Sequence, residues 1–132
     1  MEPLPAPAPA PRAAEAQARR RTAVATKPPP GECCPYLHEA VELVGKRWTG
    51  AIVYVLLERR RPMRFTEVGA AVPQLSDRLL SERMKELEAR GIVERHVHNG
   101  SPVRVEYELT SMGRALAPAL RELRRWAQRY LG

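Results

Sequence analysis

Three small groups of residues in this chain have types and spacings that could do chemistry. Cys33 and Cys34 are adjacent and precede Pro35, so a thiol stands where a helix can begin, since proline is favoured in a helix's first turn. A thiol at the positive end of a helix is in the setting of a reactive nucleophile or sensor. The competing reading of Cys34 is a small, partly buried side chain that packs and does no chemistry. Cys33 could resolve an oxidised Cys34 or be a bystander, because adjacent cysteines bridge only under strain. His96 and His98 share one strand face by the two-residue period, but two ligands do not make a metal site, and no nearby Cys or Asp completes one. The third group is Ser76, Arg78, Ser81, Glu82 and Lys85. At helical spacing Arg78, Glu82 and Lys85 lie roughly opposite Leu80, Met84 and Leu87. Such a face could hydrogen-bond the edges of bases, with Arg78 and Lys85 reaching guanine or phosphate and Glu82 accepting from cytosine. Taken alone it is also what any solvated amphipathic helix shows.

The elements that must position these groups can be read from period and punctuation. After Pro35, Leu37, Ala40, Val41 and Val44 recur as one face of a short helix that ends near Gly45. Trp48 to Glu58 is apolar nearly all round and reads as a central buried helix, broken by Arg59 to Pro62. Phe65 is expected in a very short strand, and Thr66 is expected to cap a brief helix that stops before Pro73. Ser76 can cap the next helix, with Asp77 well placed at its positive end, and Arg90 and Gly91 close it. From Ile92 to His98 and from Val103 to Leu109 the period changes to two. These runs predict a hairpin with Asn99-Gly100 in its tip, Val103, Val105, Tyr107 and Leu109 on one face, and Arg104, Glu106 and Glu108 on the other. Thr110 is expected to cap a last helix running to Leu131, kinked at Pro118, with Leu116, Leu120, Leu123, Ala127 and Tyr130 in a stripe. Four helices, a hairpin and a helix, in this order, predict an α+β, mainly helical fold: a winged helix-turn-helix with an extra helix at each end.

Composition bounds the rest. The chain has 132 residues and a formal charge of +7. Residues 1–32 form an arm rich in Pro, Ala and Arg, and residues 33–132 a single domain. Eight of the thirteen prolines fall in Met1 to Pro30, where Leu4 and Val24 are the only large aliphatics apart from Met1, so the arm is expected to be disordered and partly extended. Up to Pro35 there are five basic and three acidic residues, and beyond it seventeen and twelve. The surplus therefore divides as +2 and +5, a balance that suits a polyanion without proving one. No apolar run reaches the length of a signal-peptide core or membrane span, and two adjacent cysteines make no disulfide framework. A cytoplasmic protein with no membrane association is expected. Nothing resembles a phosphate loop, a nucleophile elbow or a paired-carboxylate site, so neither an enzyme nor a resident cofactor is indicated.

Five segments together resemble the HxlR family of bacterial transcription regulators, relatives of the MarR-type winged helices. They are Cys34-Pro35, LVGKRWT at Leu43 to Thr49, MRFTEV at Met63 to Val68, LSDRLLSERMKELEARGIVER at Leu75 to Arg95, and VEYELTSMGRAL at Val105 to Leu116. The chain departs from the usual pattern at Arg47, at Met84 and in its arm. The resemblance implies a homodimer that binds double-stranded DNA, and in some relatives a cysteine matching Cys34 senses electrophiles or oxidants. It makes Cys34, with Cys33 beside it, the candidate contact for a small-molecule or electrophile inducer.

On this reading the DNA-contacting residues are Ser76, Arg78, Ser81, Glu82 and Lys85 on the recognition helix. His98, Asn99 and Arg104 belong to the wing, for which Ser101 is a further tip residue. Arg64 contacts backbone phosphate, as the turn Arg59-Arg60-Arg61 could. For Arg104 the competing expectation is a cross-strand pair with Glu94 or Glu106. Arg19-Arg20-Arg21 in the arm could add non-specific attraction. One helix in one groove discriminates weakly, so two copies on an inverted repeat are expected, joined through Leu37, Leu123, Trp126 and Tyr130 on the terminal helices. Trp126 could instead cap its own domain's core. The alternatives to a sequence-specific regulator are a winged helix used as a protein-interaction module and a thiol enzyme built on Cys34.

Overall fold

The computed structural model describes residues 31–132. The Pro-rich arm, including Arg19-Arg20-Arg21, lies outside the described residues. Helix α1 (Pro35–Val44) begins at the proline, with Cys34 as its N-cap, and stops at Gly45, whose N–H donates to the Val41 carbonyl. Trp48 takes a left-handed φ of 75° and turns the chain into α2 (Thr49–Arg59). This is the central helix: Ile52, Val53, Leu56 and Leu57 are all buried. It ends where Arg60 also turns left-handed, at φ 56°.

Strand β1 is only Met63–Arg64, and α3 (Phe65–Ala71) follows at once. The expectations here are corrected. Phe65 is the first residue of the helix, and the cap position is Arg64, not Thr66. The cause is Glu67, whose carboxylate accepts from the Arg64 backbone N–H at 3.1 Å and so starts the helix two residues earlier. Helix α4 (Asp77–Ala89) starts as its sequence predicts, the Ser76 hydroxyl accepting from the Leu79 N–H at 3.2 Å. Gly91, at φ 77°, closes it in a left-handed turn that a residue with a Cβ would resist.

Strands β2 (Val93–His98) and β3 (Arg104–Leu109) form the hairpin, and the antiparallel sheet has the order β1-β3-β2. Pairing runs from Val93 opposite Leu109 to His98 opposite Arg104, with Met63 opposite Tyr107 on the other side of β3. The expected last helix is two. Thr110 caps α5 (Ser111–Arg114), its hydroxyl accepting from the Gly113 N–H and donating to the Gly91 carbonyl. The chain then breaks at Ala115-Leu116, and α6 (Ala117–Tyr130) restarts with Pro118 in its first turn, where a missing N–H costs nothing. Pro118 therefore begins a helix where a kink was expected.

The core lies between α2, the inner faces of α3 and α4, and the foot of the hairpin. Leu80, Met84 and Leu87 from α4 meet Met63, Val68 and Ile92 there, all essentially inaccessible. Each such side chain contributes about 1.5–3 kcal/mol by leaving water. The α1 face comes out differently from its expected stripe. Leu43 and Val44 pack against the core, while Leu37 and Val41 remain 65% and 58% exposed. A helix at the edge of a small domain has only one flank to bury, and here the other apolar flank faces outward.

Candidate nucleic-acid interface

Helix α4 is held from behind and free in front. Besides its three core side chains, Arg83 reaches back across the α1–α2 turn. Its Nε donates to the Arg47 carbonyl at 2.9 Å, and its side chain is only 11% exposed. Glu86 accepts from both Arg83 and Lys46, the latter at 2.8 Å. On the opposite side Arg78 is 91% exposed, held only by a loose pair with Glu82 at 3.7 Å. Lys85 is exposed, and among the described residues its side chain makes no ion pair or hydrogen bond. Ser76 spends its hydroxyl on the cap and Ser81 is half-buried, which leaves Arg78, Glu82 and Lys85 as the reaching side chains of this face.

The wing's polar face is more acidic than its sequence alternation suggests. Glu94, His96 and His98 on β2 share it with Arg104, Glu106 and Glu108 on β3. Glu106 engages both basic groups of the tip end, His98 at 2.8 Å and Arg104 at 3.5 Å. The Arg104–Glu106 contact joins neighbours on one strand and does not cross strands. His96 is flanked by Glu108 at 3.1 Å and Glu94 at 3.6 Å, and the donor atoms of these three lie within 4.8 Å of one another. The expectation that no third ligand stands near the histidines is thereby corrected. It considered Cys and Asp, and register brings two glutamates instead. Asn99 and Ser101 are exposed at the tip.

The short β1–α3 junction places Arg64 beside that tip. Arg64 pairs with Glu106 in the ladder and shares with His98, Asn99, Ser101 and Arg104 a groove of about 590 Å³. The junction is clamped by Glu67. The Arg61 guanidinium, donating at 2.6 Å, and next the Arg64 backbone N–H hold the Glu67 carboxyl down at about 2. Arg61 is thus committed to the fold, and the basic turn divides, with Arg64 at the wing and Arg60 and Arg61 facing another cavity.

Arg95, to which the sequence pattern gives no role, lies on the β2 face opposite His96 and His98 and pairs with Tyr107 in the ladder. The structure leaves it exposed, with no ion pair among the described residues. The hairpin outgrows the core beyond Val93, so later inward positions meet water; an arginine at such a position was the available signal. Cys34 is half-buried at the N-cap of α1, Cys33 is exposed, and both are free thiols. Leu37, Leu123, Trp126 and Tyr130 are all more than half exposed. Trp126 therefore does not cap its own core; its ring instead lies 5.9 Å from that of Tyr130. No helix of the described residues is long and apolar enough to cross a membrane.

A buried-backed helix with a free polar face, preceded by a short helix and turn and followed by a charged hairpin, defines a DNA-binding winged helix-turn-helix of the kind found in transcription regulators. The profile of the HxlR-like helix-turn-helix family matches residues 43–132, and the chain belongs to that family. It is 49% identical over 100 residues to YvaP, an HTH-type transcriptional regulator of Bacillus subtilis (strain 168), covering 76% of this chain and 91% of YvaP. The reduced form of the transcriptional regulator YodB from B. subtilis superposes with a TM-score of 0.67 at 42% identity, over 75% of this chain and 95% of YodB. Quinone-bound YodB superposes at 0.64 with 41% identity, over 74% of this chain and all of YodB's. The chain is a helix-turn-helix transcription regulator similar to these.

Proposed function

We propose that this regulator acts as a homodimer on an inverted-repeat operator. Helix α4 enters the major groove through Arg78, Glu82 and Lys85, with Ser76 and Ser81 near the backbone, and the wing follows the adjacent groove through His98, Asn99 and Arg104, with Arg64 on phosphate. The observation that carries this reading is the division of labour on α4. Arg83 is spent inward, whereas Arg78 and Lys85 face water with almost nothing on their own fold to bind. Arg104 and His98 can turn from Glu106 to phosphate, since all three sit on one face near the tip. The uncovered apolar residues of α1 and α6 support pairing of two copies. Half-sites about one helical turn of B-DNA apart, roughly 34 Å, follow from that pairing.

Cys34 is the proposed sensor of electrophiles or oxidants. It is a free, half-buried thiol at a helix N-cap, and a similar protein, YodB, has been solved with quinone bound. A Cys34→Ser variant should bind DNA as the parent does but lose its response to a quinone or a thiol oxidant; measurable turnover of either reagent would mark an enzyme instead.

A competition shift assay at fixed salt, with co-purified genomic DNA against random duplex, tests the operator reading. A specificity ratio of about 10³ or more is expected. Arg78→Ala should lower preference by about tenfold or more, and Arg104→Ala should weaken all duplexes alike. Identical binding by both variants would remove the groove assignment. A protein-interaction module would give one affinity for every sequence. Removing Arg19-Arg20-Arg21 should give a shallower salt dependence.

A further inference from the structure

At the foot of the wing, at the end away from its tip, a cavity of about 380 Å³ opens between α2 and the turn after it, the end of β3, and helices α5 and α6. Its floor is apolar: Leu56 and Leu57 from α2, Leu109 from β3 and Ala117 from α6. Its lining includes four arginines, Arg60, Arg61, Arg114 and Arg121, and one carboxylate, Glu108; Arg61 and Arg121 have carboxylate neighbours outside it, Glu67 and Glu58, so the uncompensated positive charge belongs to Arg60 and Arg114. Glu108 is itself occupied by His96 at 3.1 Å.

Three of the arginines have structural work. Arg61 holds Glu67 at 2.6 Å, Arg114 donates to the Leu109 carbonyl at 2.7 Å, and Arg121 stands 4.0 Å from Glu58. Arg60 has none: among the described residues its side chain makes no ion pair or hydrogen bond. Yet it occupies a left-handed position, φ 56° and ψ 26°, which glycine would fill with less strain. An uncommitted guanidinium lining a cavity with an apolar floor is an observation that points to a ligand.

We propose that this cavity binds a small organic acid, an anionic head on a compact apolar body such as an aromatic ring. Its volume suits a ligand of that size, and few convergent charges over an apolar floor are what fix such a ligand. Inorganic phosphate alone would leave the floor uncovered. A DNA phosphate is disfavoured by position, since Leu109 is six residues along β3 from Val103 at the tip, about 20 Å at strand rise. Because α2, the foot of β3 and the start of α6 all contribute walls, an occupant ties the wing's base to the C-terminal helix. Its role as an effector of DNA binding rests on the wing reading given above.

Calorimetric titration of the full chain, without DNA, tests the site. The probes are 2-naphthoate, the neutral 2-naphthylmethanol and inorganic phosphate. Naphthoate should bind saturably, the alcohol about tenfold or more weaker for want of charge-assisted hydrogen bonds, and phosphate should not displace it. Arg60→Gly should melt no lower than the parent, because glycine suits the left-handed position, and still lose about tenfold in naphthoate affinity. Arg121→Ala should lose affinity as well. Absence of saturable binding, equal affinity for acid and alcohol, or undiminished binding by Arg60→Gly would each overturn the site, and none of these bears on whether the chain reads DNA. In a separate shift assay, naphthoate should change the DNA affinity of the parent and not that of Arg60→Gly. Binding with unchanged DNA affinity would overturn the effector role.

Discussion

Arg78 and Arg83 are five residues apart on α4 and do opposite work. Arg83 is 11% exposed and ties the helix to the Arg47 carbonyl, so Arg83→Ala should cost about 1–2 kcal/mol through a lost charged hydrogen bond and lost stem packing. Arg78, 91% exposed, should cost less than about 0.5 kcal/mol when replaced by alanine, since an exposed i,i+4 pair is worth little. Thermal melts of the two variants check this, and a reversed order would mean that α4 is held by its outer face. The same scale sets a pH dependence. Glu67 is held at about 2 against an ordinary 4.5, chiefly by Arg61. A carboxylate whose folded pKa is depressed stabilises the fold fully above its unfolded pKa, and that stabilisation fades as pH falls through the folded value. The parent should therefore melt above Glu67→Gln by a constant margin from about pH 6 upward, and the margin should shrink from about pH 4.5 toward pH 2. A margin that does not change over that window would show that the Arg61–Glu67 contact does not form in solution.

At the scale of elements, the joint between wing and C-terminal helices is closely packed at Gly113. A Cβ on Gly113 would lie 2.3 Å from the Ile92 carbonyl oxygen and 2.9 Å from Leu109 Cδ2, so Gly113→Ala should cost about 2 kcal/mol or more, because backbone must shift. In α3, a Cβ on Gly69 would make only ordinary van der Waals contacts, with Leu80 Cδ2 at 3.5 Å and Asp77 Oδ1 at 3.9 Å, and Gly69→Ala should be neutral or stabilise by up to about 1 kcal/mol through helix propensity. Chemical denaturation of both checks the pair; equal stabilities would mean that α5 does not pack on the hairpin's foot. How these elements were foreseen follows from their length. Helix α4 and the hairpin carry enough repeats of 3.6 or 2 for their faces to be read directly, and Ser76, Gly91 and Thr110 mark their ends. Strand β1 has two residues and no period to read, and Phe65 went to it because nothing local says that Glu67 will reach back. The break at Ala115-Leu116 was hidden because Pro118 fits a kink and a restart equally well. The outward face of α4 was legible for the same reason as its core face. The pairing of Glu106 with His98 and Arg104, and the different fates of Arg61 and Arg64, depend on register and on neighbours distant in sequence, which no local pattern records.

At the scale of the whole molecule, the domain buries less of its terminal helices than their sequences would allow. Helix α6 has fourteen residues, about 21 Å of length, yet only Ala117 and Leu120 in its first turns are buried. Leu123, Trp126 and Tyr130, at 57%, 53% and 62% exposure, continue one stripe past the edge of the core, and Leu37 and Val41 lie bare on α1. The full chain, at a formal +7, repels a second copy of itself at long range, so an apolar surface of this kind must supply the attraction if two copies are to hold together. Replacing Leu123 and Trp126 together by glutamate should then leave the circular dichroism spectrum unchanged, since neither residue touches the core. It should convert the protein to a monomer in sedimentation and abolish the dependence of its melting temperature on concentration. On a duplex carrying two half-sites the loss should be about 10²- to 10⁴-fold, because the second contact ceases to be intramolecular, whereas affinity for a single half-site should change little. If the charge-bearing variant sediments as the parent does, the stripe on α6 has some occupant other than its own copy, and the inverted-repeat operator loses its structural basis even though α4 would still be able to enter a groove.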